Sequence, residues 1–339
     1  MKALYLMAFA WLTVSCANAQ TAVETIELGL TGENLFGIRH MTEMKVLGDT
    51  LFIVYESDGG HGQRFLRRAT IDKTNNVLVF GPEIGKCDNG YYQSYLPYPF
   101  FGDDGRMHVI SQDDGEIYEV EAGNALYRTK RYLIGVDCRL PFAISQYVQD
   151  VSMMGSGRYV FIGREPRGGR QYAMTANLDS ACIDTVCHIS VSEDLPSWIP
   201  NVGELAYSSK YNRLAFAYRM HPVVEIRGLD GTLVGTVKVG EYTFSPETLD
   251  EADSGDLNPC HFMDVSNTQD YIYALYWGYG HADAAYLYPT IYKIDWTGNI
   301  VDRTVGIDIP LYRIAVCDDD TIIGWTGDGF AMIRKRAVP

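Results

Sequence analysis

The chain has 339 residues, 47% of them hydrophobic and only 21% charged, which supplies ample apolar material for a core and excludes a disordered protein. Its 28 Lys and Arg stand against 43 Asp and Glu, a formal net charge of −15. That balance argues against nucleic acid or an anionic membrane as a partner, since both repel such a surface at long range.

The first nineteen residues read as a signal peptide. Lys2 supplies the positive start, residues 4–14 an apolar stretch too short to span a bilayer, and Ala17-Asn18-Ala19 a small-x-small cleavage site before Gln20. A competing reading makes Cys16, in Leu12-Thr13-Val14-Ser15-Cys16, the lipidated first residue of an outer-membrane lipoprotein, although Thr13 stands where Leu is usual. Both readings export the chain, to the periplasm or beyond, and soluble export is preferred. Cleavage after Ala19 removes Cys16 and leaves Cys87, Cys138, Cys182, Cys187, Cys260 and Cys317. An even set in an oxidising compartment is compatible with disulfides, but the connectivity stays open. Cys182 and Cys187 are near in sequence, yet an extended strand would hold their Cα atoms roughly 16 Å apart. The spacings match no zinc pattern.

From residue 20 on, one pattern recurs: an apolar run, a tight turn, a second apolar run, a polar loop, then another hairpin. After an orphan strand at 23–28, the first unit opens with Met44-Lys45-Val46-Leu47-Gly48-Asp49-Thr50-Leu51-Phe52-Ile53-Val54-Tyr55 and continues through 66–72 and 77–80. The second runs through 100–110, 117–121 and 126–134, the third through 151–162, 172–178 and 183–190. The fourth, 205–218, ends in a hairpin over 223–239 turned by Asp230-Gly231, and the fifth, 262–276, in one over 290–308 turned by Gly298-Asn299. Both pairs favour hairpin turns because their central residues must accept positive φ. The sixth, 314–325, has one further strand at 330–335 and then no more chain.

Four antiparallel strands per unit, at a period of roughly 50 to 60 residues, predict an all-β, six-bladed β-propeller occupying residues 20–339 as a single domain. Blades start near Met41, Tyr98, Tyr147, Val202, His261 and Tyr312. The last sheet is one strand short, and the N-terminal strand 23–28 fills its edge, closing the ring.

The tail, with Ile291-Tyr292-Lys293-Ile294-Asp295-Trp296-Thr297-Gly298-Asn299 and Ile309-Pro310-Leu311-Tyr312-Arg313-Ile314-Ala315-Val316, resembles the TolB-like six-bladed propellers exported by Gram-negative bacteria. The segment holding Ser208-Ser209-Lys210-Tyr211-Asn212-Arg213-Leu214 and Arg227-Gly228-Leu229-Asp230-Gly231 is similar to that family's fourth blade. The likeness rests on blade grammar and implies a secreted or lipid-anchored propeller, in a family mostly without an assigned activity.

Ligands of a propeller meet the loops at one end of its central channel. Here those loops gather cations and aromatic faces in an acidic protein: Arg39, His40, His61, Arg64, Tyr92, Arg164, Arg219, His221, His261, Tyr279 and His281 are the candidate ligand-binding residues. Guanidinium groups suit carboxylates and phosphates, and aromatic faces suit sugars. The bland alternative is that these side chains pair with nearby carboxylates and cover blade edges. His108 and His188 fall inside strand patterns and read as structural. Asp103-Asp104-Gly105, Asp113-Asp114-Gly115 and Cys317-Asp318-Asp319-Asp320 lie on hairpin turns and lack the spacing of a calcium loop. No nucleophile elbow or zinc-helix motif occurs, so no catalytic residue, metal or cofactor is assigned.

Two functions are expected from this pattern. The first is an exported, noncatalytic, monomeric propeller that binds a small molecule, glycan or protein through the Arg, Tyr and His loops. The alternative is a hydrolase or lyase acting on a glycan or small ester or peptide, with channel-mouth carboxylates and His40, His221 and His261 as its groups.

Overall fold

The computed structural model describes residues 20–32, 38–57, 62–87, 89–102, 105–112, 115–120, 124–132, 149–155, 157–164, 169–180, 182–191, 193–194, 196–197, 200–240, 260–279 and 288–335. The expected signal peptide, Cys16 and Cys138 lie outside these residues.

Two N-terminal strands, β1 (Gln20–Glu27) and β2 (Gly29–Gly32), precede the blades. Blade 1 holds β3 (Ile38–Leu47), β4 (Thr50–Ser57), β5 (Arg64–Asp72) and β6 (Val77–Ile84). Blade 2 holds β7 (Pro97–Phe101), β8 (Met107–Ser111), β9 (Glu116–Val120) and β10 (Leu126–Tyr132). Blade 3 is built from β11 (Gln149–Gly155), β12 (Arg158–Arg164), β13 (Gln171–Asn177) and β14 (Cys182–His188). Blade 4 follows as β15 (Gly203–Ser208), β16 (Arg213–Tyr218), β17 (Val223–Gly228) and β18 (Leu233–Lys238). Blade 5 comprises β19 (Cys260–Asn267), β20 (Tyr271–Tyr279), β21 (Thr290–Asp295) and β22 (Ile300–Val305), and blade 6 has β23 (Arg313–Val316), β24 (Ile322–Trp325) and β25 (Phe330–Lys335). Within each blade, consecutive strands pair antiparallel, so the all-β six-bladed architecture is as the repeat implies.

The core is not inside the blades but between them. A sheet this small cannot bury its own faces, so each blade buries them against its neighbours. Six apolar clusters result among the described residues, one for each adjacent pair. Phe100, Ile110, Phe161 and Met174 join blades 2 and 3; Val160, Ile162, Leu214 and Phe216 join 3 and 4. Val54, Leu66, Val109 and Tyr118 join blades 1 and 2, while Ile226, Val237, Ile272 and Ile294 join 4 and 5. Leu275 and Ile291 meet Ile314 and Ile322 between blades 5 and 6. The ring closes where Ile53, Leu78 and Phe80 of blade 1 meet Ala315, Ile323, Phe330 and Met332 of blade 6, with Leu28 wedged among them.

The N-terminal segment does more than complete blade 6. Val23–Glu27 pair antiparallel with Lys335–Ala331, supplying the missing fourth strand, while Gln20–Ala22 pair parallel with Arg303–Val305 of blade 5. Leu28 then donates its backbone N–H to Phe330 O in blade 6 (2.9 Å), and Gly29 donates to Asn76 O in blade 1 (2.9 Å). Strand β2 runs parallel to β6 as a fifth strand on blade 1. One segment therefore ties three successive blades. Gly32 permits this approach: its φ is +102°, and a Cβ there would lie 2.2 Å from Phe80 O.

All five described cysteines, Cys87, Cys182, Cys187, Cys260 and Cys317, are free thiols. Cys182 and Cys187 sit at opposite ends of the extended β14, consistent with the distance argument. His108 is buried and stacks on Phe100 at 5.5 Å, and His188 Nε2 lies 3.0 Å from Pro196 O.

Deleting residues 20–32 removes the ladders to three blades and exposes the cluster around Leu28. Differential scanning calorimetry is expected to show unfolding at least about 5 °C lower than the chain starting at Gln20, the scale of several kcal/mol in a domain this long; an unchanged melting temperature would show that the ring closes without its latch.

Candidate ligand-binding site

Every innermost strand enters the ring at the same end, and each brings a polar or charged residue to the axis within its first six positions. These are Glu43 on β3, Tyr98 on β7, Asp150 on β11, Glu204 on β15, Asp264 on β19 and Arg313 on β23. Asp150 stands at φ 50°, a left-handed conformation inside a strand, next to a register shift in the β11–β12 ladder. Gly203, just before Glu204, lets β15 lie close to β16, since a Cβ there would be 2.1 Å from Ala217 O.

These six residues fall into three bonded groups, Arg313 with Glu204 and Asp264, Tyr98 with Asp150, and Glu43 with Lys45. Arg313 Nη1 donates to Glu204 Oε1 at 2.9 Å and to Asp264 Oδ1 at 2.8 Å. Asp264 Oδ2 accepts Ile314 N–H at 2.7 Å. Asp150 Oδ2 accepts Leu205 N–H at 2.9 Å, while Tyr98 donates its hydroxyl to Oδ1 at 3.3 Å. Both aspartates thus reach from one blade to the backbone of the next. Lys45 Nζ lies 3.2 Å from Glu43 Oε1.

The environments drive the carboxyl groups apart. Burial, then the charges of Glu204 and Glu43, push Asp150 well above the carboxylate range. Burial also opposes the charge on Glu204, but Arg313 and Arg219 outweigh it and hold that group below its ordinary value. Asp264 is raised to about 6 by burial, against the pull of Arg313.

Five of the six, all but Asp264, line the floor of a cavity of about 230 Å3 at the channel mouth. Its rim carries Arg64 at the start of β5, Arg164 at the end of β12 and Arg219 just beyond β16. Arg219 Nη2 donates to Glu204 Oε1 at 3.1 Å, and its buried Nε has no hydrogen-bond partner among the described residues. Arg64 donates to Gln112 Oε1 at 2.9 Å and Glu56 Oε1 at 3.3 Å. Burial lowers the Arg164 guanidinium from its ordinary pKa, and nearby Arg219 adds to this against Asp150 and Glu204. Four guanidinium groups, those of Arg64, Arg164, Arg219 and Arg313, thus line the cavity against three carboxyl groups, those of Glu43, Asp150 and Glu204.

Three of the residues singled out in the sequence therefore share this cavity: Arg64, Arg164 and Arg219. The others described lie elsewhere. His40 is exposed on β3, and Tyr92 donates its hydroxyl to Glu83 Oε2 at 2.5 Å while packing edge-on against Phe65. His221 and His261 are buried off the axis, His221 against the Tyr218 ring and His261 Nδ1 at 3.4 Å from the Tyr276 hydroxyl. Burial depresses both imidazoles to about 4, so both are neutral at pH 7, with His221 adding to the shift at His261. Arg39 belongs to β3 and Tyr279 ends β20, but their side chains lie outside the described set, as do His61 and His281 entirely.

Sequence reasoning passed over Glu43, Tyr98, Asp150, Glu204, Asp264 and Arg313. The signal was present: each is a polar or hydroxyl-bearing interruption at the head of an apolar innermost run, as in Gly203-Glu204-Leu205-Ala206 and Met263-Asp264-Val265. Among the described residues no three His, Cys, Asp or Glu side chains are grouped to hold a metal ion. The turn Cys317–Asp320 of blade 6 pairs its carboxylates with lysines of the two neighbouring blades, Asp319 with Lys73 of blade 1 at 2.8 Å and Asp320 with Lys293 of blade 5 at 2.7 Å.

Among the described residues two other cavities compare with it. One of about 390 Å3 lies off the axis between blades 1 and 2, where its charged residues Arg68, Arg106 and Glu119 are all exposed. The other, about 230 Å3, opens at the far end of the channel, and Lys45 lines it while Glu43 lines the mouth, so their ion pair stands between the two ends. Neither gathers buried charge as the mouth does.

No protein-family model matches the chain, and no curated protein is similar to it in sequence. Solved structures do resemble it. A protein of unknown function from Bacteroides thetaiotaomicron, 11% identical, aligns over 93% of this chain and 76% of its own at a TM-score of 0.54. A candidate exported protein from Bacteroides fragilis, 12% identical, aligns over 95% and 98% at 0.53. A streptogramin B lyase aligns at only 0.46, with 12% identity over 93% and 97% of the two chains. The two Bacteroides likenesses support the propeller fold and leave its chemistry to the residues of the channel.

Arg313→Met leaves Glu204 and Asp264 without their shared cation, and such a loss typically costs about 3–5 kcal/mol. Urea unfolding is expected to show that cost in the single variant and a smaller one in Arg313→Met with Asp264→Asn, where Asp264 no longer carries a charge and Glu204 keeps Arg219 as its counter-ion. The buried histidines set an acid limit. Their folded values near 4 lie below the unfolded value of about 6.5, so the unfolded chain takes up protons first and stability falls as the pH drops from about 6.5 toward 4. Asp264 acts oppositely: its folded value near 6 lies above the unfolded ~3.9, so its stabilisation is present at about pH 4 and lost as pH rises through 6. The fall in melting temperature between pH 7 and pH 4.5 should be at least halved in His221→Gln/His261→Asn.

Proposed function

We propose that the protein is an exported propeller of the TolB-like kind that binds a small anionic ligand at the channel mouth without transforming it. One observation carries this reading: a chain with net charge −15 lines its central cavity with four guanidinium groups against three carboxyl groups, of which Asp150 is held toward its neutral form. Cations concentrated where the rest of the surface is acidic favour a ligand that is itself an anion, and guanidinium forks match carboxylate and phosphate oxygens. Among the described residues the buried Arg219 Nε–H has no acceptor, which favours a ligand oxygen there. Export is supported by the signal-like N-terminus and by the likeness to the Bacteroides fragilis protein; among the described residues no helix is long and apolar enough to cross a membrane.

A second reading has its own support. Carboxyl groups driven in opposite directions within one cavity, Asp150 up and Glu204 down, are what acid–base chemistry requires. A hydrolase or lyase built here would use these carboxyls rather than His221 and His261, which stand away from the cavity.

Isothermal titration with inorganic phosphate, acetate and citrate tests the first reading. At least one anion is expected to bind, and Arg64→Ala/Arg164→Ala to weaken it by about tenfold or more, the worth of one lost charge-assisted hydrogen bond. Binding that ignores both substitutions would place the anion elsewhere.

A further inference from the structure

The mouth cavity constrains its ligand further than charge alone. At about 230 Å3 it is smaller than the ~300–1,000 Å3 of sites for drug-sized molecules, so a single ring or its equivalent fills it. Apolar groups contribute little: Pro97 and Val202 are the aliphatic members of its lining, and a hydrophobic ligand would leave the charged floor unsolvated.

Charge and hydrogen-bonding capacity also differ between rim and floor. The rim is cationic, through Arg64, Arg164 and Arg219. The floor carboxyls already have counter-charges, Glu43 from Lys45 and Glu204 from Arg313 and Arg219. A second cation from the ligand is therefore not called for, but carboxyl lone pairs are still open to donors. The Asp150 carboxyl and the Tyr98 hydroxyl complete a floor that both accepts and donates. A ligand that is anionic throughout would meet these carboxyls and be repelled. One with an anion at one end and hydroxyls at the other satisfies both.

Resting on the anion-binding reading above, we propose that the mouth cavity binds a monoanionic sugar acid, with its carboxylate against Arg64 and Arg164 and its hydroxyls on Glu43, Tyr98 and Asp150. Anion and polyol contacts act together, so neither half of such a molecule suffices alone.

Isothermal titration of the chain from Gln20 with D-glucuronate and D-galacturonate, beside D-glucose, D-glucosamine, acetate and inorganic phosphate, decides the matter. At least one uronate is expected to bind at least tenfold more tightly than glucose, glucosamine or acetate. Tyr98→Phe, which keeps the ring, should weaken the uronate by at least threefold and leave phosphate unchanged; Glu43→Gln, checked for an unaltered melting temperature, should behave the same way. If acetate or phosphate binds through Arg64 and Arg164 while neither uronate exceeds acetate, the sugar-acid inference falls and the anion site stands. If glucosamine or glucose binds best, the inference falls as well. If no anion binds, both readings fall together.

Discussion

The backbone ladder between Val23–Glu27 and Ala331–Lys335 is the interaction on which the whole molecule rests. A propeller blade buries its faces only against its neighbours, so an open chain of six blades would leave two faces wet, one on blade 1 and one on blade 6. Those two faces hold Leu51, Ile53, Leu78 and Phe80 on one side and Ala315, Ile323, Phe330 and Met332 on the other, all buried once they meet. The ladder brings them together and also removes the free edge of blade 6. Extending the same segment onto β22 and β6 spreads the closure over three sheets, so that no single blade interface bears it alone.

Closure is also what assembles the mouth. Glu43, Tyr98, Asp150, Glu204, Asp264 and Arg313 are scattered over most of the chain and come together only because each heads an innermost strand pointing at one axis. Arg313, from the last blade, holds carboxylates of blades 4 and 5, and Asp150 of blade 3 accepts a backbone N–H of blade 4. Burying so many charges costs desolvation, which paired geometry offsets only when every partner is in place. The candidate site and the ring are therefore not separable: the same channel charges that line the cavity also tie neighbouring blades together.

The fold was legible in the sequence because blade structure is local. Hairpins such as those turned by Asp230-Gly231 and Gly298-Asn299 announce themselves within a dozen residues, and the unpaired final blade pointed to the N-terminal strand as its partner. The attachment of β2 to blade 1 was not legible, since Gly29-Leu30-Thr31-Gly32 carries little strand signal and owes its place to the close approach that Gly32 allows. The site was legible only at its rim. Arg64, Arg164 and Arg219 stand beside polar loops and drew notice, whereas Glu204 and Asp264 looked like single polar interruptions of apolar strands. Long-range convergence on an axis leaves no spacing in the sequence, and His221 and His261, conspicuous by residue type, were drawn off the axis by packing against Tyr218 and Tyr276.

An acidic surface around a cationic mouth sets two electrostatic effects against each other, and distance decides between them. The net charge of −15 acts on an approaching anion through solvent, where physiological salt screens it beyond about 8 Å. The guanidinium groups act at hydrogen-bonding range, where salt screens far less than it does across the surface. Far from the protein the repulsion is therefore muted, and at contact the attraction dominates. On the proposed anion-binding reading, such a field works against large anions at long range and leaves the cavity to small ones.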